Sequence, residues 1–339
     1  MTFRALIVGD VHFKGVNPRA RLDNYLEAIS TELLETLDIA RQHKVHAIIQ
    51  SGDLFDGPNT AWNIVGELAY ILQQSPCPFL AIHGNHDIFG GNAESKRRTP
   101  FGLLSRLGII QDIEEQSSNL PGGFIITGCG FTTDTDTNTP AGRQQFCPEI
   151  QAPGSFNIHV VHSMLMDHAP GFDMRHTLIS QVETDADVIV CGHLHTGFGN
   201  GYVVKRDDGA LFINPGALCR LSAHQAEIDR TVQVALLTVD GNTRQADVKL
   251  IPLKSAQPGH LVLSRGHLEA ETERSERLDK FLALLASEGA SKFLEVRDIV
   301  EDIAARENVD SKVKDEVLRR IGEAREKLGA MNQGAGVAS

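Results

Sequence analysis

Five short apolar runs in the first 195 residues each stop at residues of the types that can ligate metals. They end in Gly9-Asp10-Val11-His12, Gly52-Asp53-Leu54-Phe55-Asp56, Gly84-Asn85-His86-Asp87, Val161-His162-Ser163 and Gly192-His193-Leu194-His195. Each run therefore delivers a carboxylate, carboxamide or imidazole beyond a strand end, in four cases through a glycine that permits a sharp turn. The DxH and HxH spacings place both side chains on one side of an extended segment, because residues two apart point the same way. Two divalent cations held about 3.5 to 4 Å apart need a bridging carboxylate and mixed nitrogen and oxygen ligands, with positions left open for water and phosphate. DxH or GDxxD alone says little, but five such ends in succession point to a dinuclear centre.

The runs at 4–9, 45–50 and 78–83 alternate with helical patterns. Over 21–42, Leu22, Tyr25, Leu26, Ile29, Leu33, Leu37 and Ala40 share one stripe, and 61–73 is again helical in pattern. Alternating strands and helices imply parallel pairing through right-handed crossovers, with functional side chains at the carboxyl ends of the strands. From 109 onward short strands surround a polar, turn-rich loop at 132–145, and further strands fall at 186–191, 201–205, 210–214, 231–239 and 246–251. After Pro258-Gly259 the pattern is helical, with stripes at Leu278, Phe281, Leu282 and Leu285, at Phe293, Val296, Val300 and Ile303, and at Val313, Val317, Ile321, Ala324 and Leu328. With 339 residues, the chain can bury a large core and carry an appendage. The expected division is a main domain at 1–255, a helical cap or partner-docking segment at 256–330 and a flexible tail at 331–339.

A net charge of -12 argues against a surface that grips nucleic acid everywhere by counterion release. A polyanionic substrate has to be met locally, where two divalent cations would concentrate positive charge. No apolar run approaches the roughly 18 to 20 residues of a membrane helix, and the opening MTFRALIVGD lacks a secretory pattern, so a soluble, cytoplasmic protein with no membrane partner is expected. Cys77, Cys129, Cys147, Cys191 and Cys219 are scattered and never in CxxC spacing, which fits reduced thiols. GxxxxGK[ST], HExxH and GxSxG are absent, leaving ATPase, zincin and serine hydrolase readings without their main support.

The ordered pattern DxH, GDxxD, GNH[DE], H, GHxH, complete over residues 9–195, resembles the calcineurin-like metallophosphoesterases. The resemblance implies an α/β fold, a four-layer α/β-β-α sandwich, and two divalent metal ions, with Mn2+ as the family's usual ion although iron, zinc or cobalt also suit such sites. It implies that Asp10, His12 and His195 bind the first metal, that Asn85, His162 and His193 bind the second, and that Asp53 bridges them. His86 would be the catalytic histidine beside the phosphate, stabilising developing charge or protonating the leaving oxygen, with Asp87 orienting it. The implied reaction is in-line attack on a phosphoester by metal-activated hydroxide.

Flanking residues narrow the substrate. Gly52-Asp53-Leu54-Phe55-Asp56 before Gly57-Pro58, the opening GDVHFKG, and Asn214-Pro215-Gly216-Ala217-Leu218-Cys219-Arg220-Leu221 resemble stretches of the SbcD-type nuclease subunits of bacterial double-strand-break repair. Two positions depart: Ala217 replaces a serine, and Asp56 stands where archaeal and eukaryotic members carry histidine. The resemblance implies a metal-dependent DNA exonuclease and endonuclease acting in repair with an SMC-like coiled-coil ATPase of the SbcC type, and leaves a homodimer open. Residues 275–328 suit either a docking element for that ATPase or a self-contained cap. Lys96, Arg97, Arg98 and Arg220 are the candidate phosphate contacts, against the plain reading that consecutive charges in a loop are merely solvated. A phosphodiesterase for small molecules or cyclic nucleotides is the alternative within the same family, and a scaffold with a structural metal is the alternative outside enzymes. His83 and His159, inside apolar runs, read as satisfied core residues.

Overall fold

In the buried strands every second side chain enters the same interior layer, and the pattern builds two six-stranded sheets. The computed structural model describes residues 2–148, 154–199 and 201–266, together with 300–321 apart from 302, 306 and 308. In chain order, β1 (Thr2–Val8), β2 (Ala47–Gln50), β3 (Phe79–Ala81) and β4 (Gln111–Asp112) run parallel to their neighbours. Next, β5 (Ser118–Leu120), β6 (Phe124–Cys129) and β7 (Phe156–Ser163) begin the second sheet. After a small ribbon of β8 (Leu165–Met166) and β9 (Thr177–Leu178), that sheet is completed by β10 (Val188–His193), β11 (Val203–Lys205) and β12 (Leu211–Ile213). Finally β13 (Gln233–Asp240) and β14 (Ala246–Pro252) return antiparallel to the open edge of β1. The resulting orders are β14-β13-β1-β2-β3-β4 and β11-β12-β10-β7-β6-β5.

Between the sheets lies a layer that includes Ile7, Ile49, Leu80 and Leu237 from one and Ile126, Ile158, Val190 and Ile213 from the other, all fully buried. Burying each large aliphatic side chain here contributes roughly 1.5 to 3 kcal/mol. The opposite face of the first sheet is covered by α1 (Tyr25–His43), α2 (Trp62–Leu72) and α3 (Pro100–Arg106). Helix α1 starts where Asn24 accepts from the Glu27 amide and stops at Lys44, whose φ of 49° ends the helical run. Its stripe of Tyr25, Ile29, Leu33, Leu37 and Ala40 is buried, whereas Leu22 precedes the helix and is exposed. The outer face of the second sheet is covered more thinly. Short α4 (Pro140–Gln144) and irregular chain bring Phe146, Leu165, Ile179, Val182 and Phe198 onto Val161, Ile189 and Phe212. The architecture is thus an α/β sandwich of two sheets with helices on one outer face and a slight fourth layer on the other.

Two short helices, α5 (Gln225–Asp229) and α6 (Gly259–Val262), complete a compact unit spanning Met1–Arg265. A bridge between Arg21 and Leu263 ties the stretch after residue 255 to this unit. A second unit spans Gly266–Ser339. Within it residues 311–321 are helical, as the stripe through Val313, Val317 and Ile321 predicts. The stripe at 278–285, Phe293 and Val296 of the second, Ala324 and Leu328 of the third and the expected tail at 331–339 lie outside the described residues. No helix among the described residues is long and apolar enough to cross a membrane.

Candidate metal centre

All seven expected ligands meet where the ends of β1, β2, β3, β7 and β10 converge. His162 lies within β7 and His193 is the last residue of β10, while Asp10, His12, Asp53, Asn85 and His195 follow their strands in turns. Three of these residues have left-handed backbone: His12 (φ 47°), Asp53 (φ 52°) and His193 (φ 84°). Such conformations are uncommon outside glycine and collect at sites where the surroundings impose them. Two glycines make the approach possible. A Cβ on Gly84 would strike the Asp53 carboxylate, and one on Gly192 would meet the Ser51 carbonyl and Asp10.

Asp53 stands at the centre. Its Oδ1 accepts from the His86 amide at 2.8 Å, and its Oδ2 lies 3.5 Å from His12 Nε2 and 3.3 Å from His162 Nε2. On one side His12 Nε2 and His195 Nε2 are 3.1 Å apart, with Asp10 Oδ2 3.4 Å from His195. On the other, His162 Nε2 is 3.1 Å from Asn85 Oδ1 and 3.2 Å from His193 Nδ1. The ligand atoms of Asp10, His12 and Asp53 form one compact group and those of Asp53, His162 and His193 another, with Asp53 common to both.

The donor set fits two divalent cations. Imidazole nitrogens facing each other at this spacing are lone pairs aimed at common points, and His162 Nδ1 donates to the Ser51 carbonyl at 2.8 Å, leaving Nε2 free to ligate. The buried carboxylates also call for positive charge. Burial pushes His162 down, yet Asp53 more than offsets it, and the ring rises to about 10. Burial pushes Asp53 up, but the charge of His162 holds it well below the usual carboxylate range.

His86 is exposed, its ring edge-on to His12 with centroids 4.6 Å apart. Its Nδ1 donates to the Asp56 carbonyl at 2.9 Å, which turns Nε2 outward. Asp87, expected to orient this ring, serves the backbone instead. It is buried and accepts from the amides of Gly84 (2.9 Å), Leu54 (3.1 Å) and Phe55 (2.8 Å), clamping the turn that carries Asp53 to the one that carries Asn85. Burial, then the charge of Asp53, raises Asp87 to about 6.

Two proposed phosphate contacts are engaged elsewhere. Lys96 is buried, with Nζ 2.6 Å from Asp112 and 2.7 Å from Glu114. Arg220 is buried and donates to the carbonyls of Glu227, Gln257 and Arg230, so it braces a loop. Arg97 and Arg98 are exposed on the 3₁₀ turn Ala93–Arg98. His83 and His159 are core residues: His83 Nε2 meets the Phe131 carbonyl and its Nδ1 lies 3.0 Å from Glu114 outside hydrogen-bond geometry, whereas His159 is satisfied by Thr127 and the Gln145 carbonyl.

Sequence reading missed three contributors. Asp56 Oδ1 faces His12 Nδ1 at 3.4 Å while its Oδ2 accepts from Lys14 at 3.0 Å. Asp136, in the polar 132–145 loop, accepts from the Ser163 hydroxyl at 2.6 Å and the Met164 amide at 2.7 Å, pinning β7 directly after His162. Cys219 brings its thiol within reach of His12 and His195. Asp56 and Cys219 lay in stretches the sequence singles out, GDLFD and NPGALCRL, but their spacing says nothing about which histidine each faces, and Asp136 lay in no motif.

The sequence pattern of the calcineurin-like phosphoesterase family matches residues 3–197, more than half of the chain. The chain belongs to this family. The calcineurin-like phosphoesterase described here is accordingly a hydrolase of phosphoester bonds, in a family that uses a dinuclear metal centre. A curated relative, the DNA double-strand break repair protein Mre11 of Methanococcus maripaludis, is 34% identical over 89 residues, which are 25% of this chain and 23% of that protein. The match thus spans about a quarter of the relative's length. Similar solved structures include a dimetal phosphatase from Danio rerio (TM-score 0.45, 11% identical, covering 74% of this chain and 98% of that one) and a protein of Thermus thermophilus (TM-score 0.44, 11% identical, covering 74% and 99%).

Proposed function

We propose that this phosphoesterase is an SbcD-type DNA nuclease that cuts phosphodiester bonds in DNA repair with an SMC-like coiled-coil ATPase of the SbcC type. The observation that carries the reading is Asp53 Oδ2, placed between the Asp10-His12-His195 group and the Asn85-His162-His193 group with His86 exposed beside them. The Mre11 relative and the GDLFDGP and NPGALCRL stretches favour DNA among phosphoesters. A cytoplasmic setting suits the five free cysteines, because thiols stay reduced there.

In this reading Asp10, His12 and His195 hold one divalent cation, Asn85, His162 and His193 the other, and Asp53 both, with Mn2+ as the proposed ion because mixed imidazole and oxygen donors accept it. When bound, the cations supply Lewis acidity towards the phosphoryl oxygens and lower the pKa of water towards neutrality. The chain's own residues supply placement and protons. His86, held through Nδ1 by the Asp56 carbonyl, turns Nε2 towards solvent, where a proton on it meets the charge developing on phosphate or on the departing oxygen. Asp87 keeps the Asp53 and Asn85 turns in register through its three amide contacts. Arg97 and Arg98, exposed on their 3₁₀ turn, are the remaining candidates for contacts to DNA phosphates.

The test is an assay of the full chain with Mn2+ on end-labelled duplex and single-stranded DNA, bis-p-nitrophenyl phosphate and cyclic nucleotides. DNA should be degraded, and His86→Ala should retain its metal yet lose about 100- to 10,000-fold in rate. Cleavage of small esters with DNA left intact would transfer the reading to a small-molecule phosphodiesterase.

A further inference from the structure

Carboxylates stand behind both imidazoles of the first metal position. His195 Nδ1 faces Glu227 Oε1 at 3.8 Å, as His12 Nδ1 faces Asp56 Oδ1 at 3.4 Å. Glu227 comes from α5, beyond the 3–197 span of the family pattern, and is only 6% exposed. Its other oxygen, Oε2, is held by Arg230 Nη2 at 3.1 Å. Arg230 in turn donates to the carbonyls of Ala217 and Cys219, which fixes the loop running past His195. In the second position the outer nitrogen of His162 meets, among the described residues, a neutral carbonyl, that of Ser51.

We propose that Glu227 is a positioning residue that keeps the proton of His195 on Nδ1, aims the Nε2 lone pair at the first metal position, and makes that position the tighter of the two. The inference rests on the ligand assignment of the preceding section. A carboxylate behind an imidazole fixes its tautomer and raises its basicity towards a metal, and a full negative charge does so more strongly than a carbonyl dipole. The plain alternative is that Glu227 serves Arg230 alone. That contact occupies Oε2, however, and leaves Oε1 of a side chain that is itself buried turned to the ring.

The test is calorimetric titration of Mn2+ into the metal-free full chain and into Glu227→Gln, which keeps the shape and the contact to Arg230 but removes the charge. Wild type should bind two ions in distinguishable steps. Glu227→Gln should weaken the tighter step by about 10- to 100-fold and leave the other unchanged. Identical isotherms, or equal weakening of both steps, would overturn the proposal. A second measurement needs no variant: nitrogen-15 histidine spectra of wild type loaded with diamagnetic Zn2+ should place the proton of His195 on Nδ1, and a proton on Nε2 would overturn it. Failure of wild type to take up any metal would overturn the ligand assignment and this inference together, a result distinct from an unaltered variant.

Discussion

The first sheet meets the site mainly with oxygen, the second only with nitrogen. Asp10, Asp53 and Asn85 follow β1, β2 and β3, with His12 the one imidazole among the expected ligands on that side, whereas β7 and β10 deliver His162, His193 and His195. The first group sits in turns past the strand ends, where left-handed backbone at His12 and Asp53 redirects side chains sharply. In the second, His162 is still inside the ladder and inherits its position from strand pairing with β10. Neither sheet carries a mixed set rich enough for two cations, so the centre is a property of how the sheets pack. Gly192, with no room for a Cβ between Ser51 and Asp10, marks how closely they approach.

Asp53→Ala should break this arrangement most severely. It removes the oxygen that faces both His12 and His162. Metal content by elemental analysis should fall to near zero, and phosphoesterase activity to below about a thousandth of wild type. Retention of two ions in this variant would show that the sheets hold them separately. A subtler break compares two core substitutions. Ile158→Ala, between the sheets, and Leu68→Ala, between α2 and the first sheet, should each cost about 2 to 5 kcal/mol in chemical denaturation. Only Ile158→Ala should also weaken Mn2+ binding, because only it loosens one ligand-bearing sheet against the other. Equal effects on metal affinity would mean that the inter-sheet layer has no special claim on the site.

The same contrast explains what could be read from the sequence. Strand ends and the residues just beyond them are local in the chain, so the order of Asp10, Asp53, Asn85, His162 and His193 along the sequence carries over into space once the strands pair in parallel. Charges outside those motifs could not be placed that way. Lys96 and Arg97 are adjacent in sequence, but Lys96 turns inward because Asp112 and Glu114 arrive from beyond α3 to neutralise it, and Arg97 stays in solvent. Arg220 looked like a phosphate ligand because it follows NPGALC, yet the carbonyls of Glu227, Arg230 and Gln257 surround it. Asp87 shared a motif with His86, and the amides of a turn more than thirty residues earlier took its oxygens. In each case the partner is set by long-range packing, which residue spacing does not encode.

Strand β7 holds the comparison in miniature, with His162 turned to the metal position and His159, an odd number of residues away, on the opposite face. His159 Nε2 donates to the Gln145 carbonyl at 2.7 Å and Nδ1 accepts from the Thr127 hydroxyl at 2.8 Å, so the neutral ring is fully satisfied. Burial pushes its pKa down to about 4, with the Gln145 contact offsetting only part of that. Above pH 6.5 the ring is neutral in folded and unfolded chains alike and stability does not depend on it. As pH falls from 6.5 towards 4 the unfolded chain gains a proton that the folded one refuses, so stability is lost across that window and levels off below it. At about 1.4 kcal/mol per unit the loss approaches roughly 3 kcal/mol. His159→Gln can keep both hydrogen bonds without titrating. Denaturant melts of the chelator-treated protein should therefore lose less stability between pH 6.5 and 4 in His159→Gln than in wild type. Parallel curves would mean that the buried ring takes up its proton without unfolding, and that β7 does not separate a neutral histidine from a ligating one.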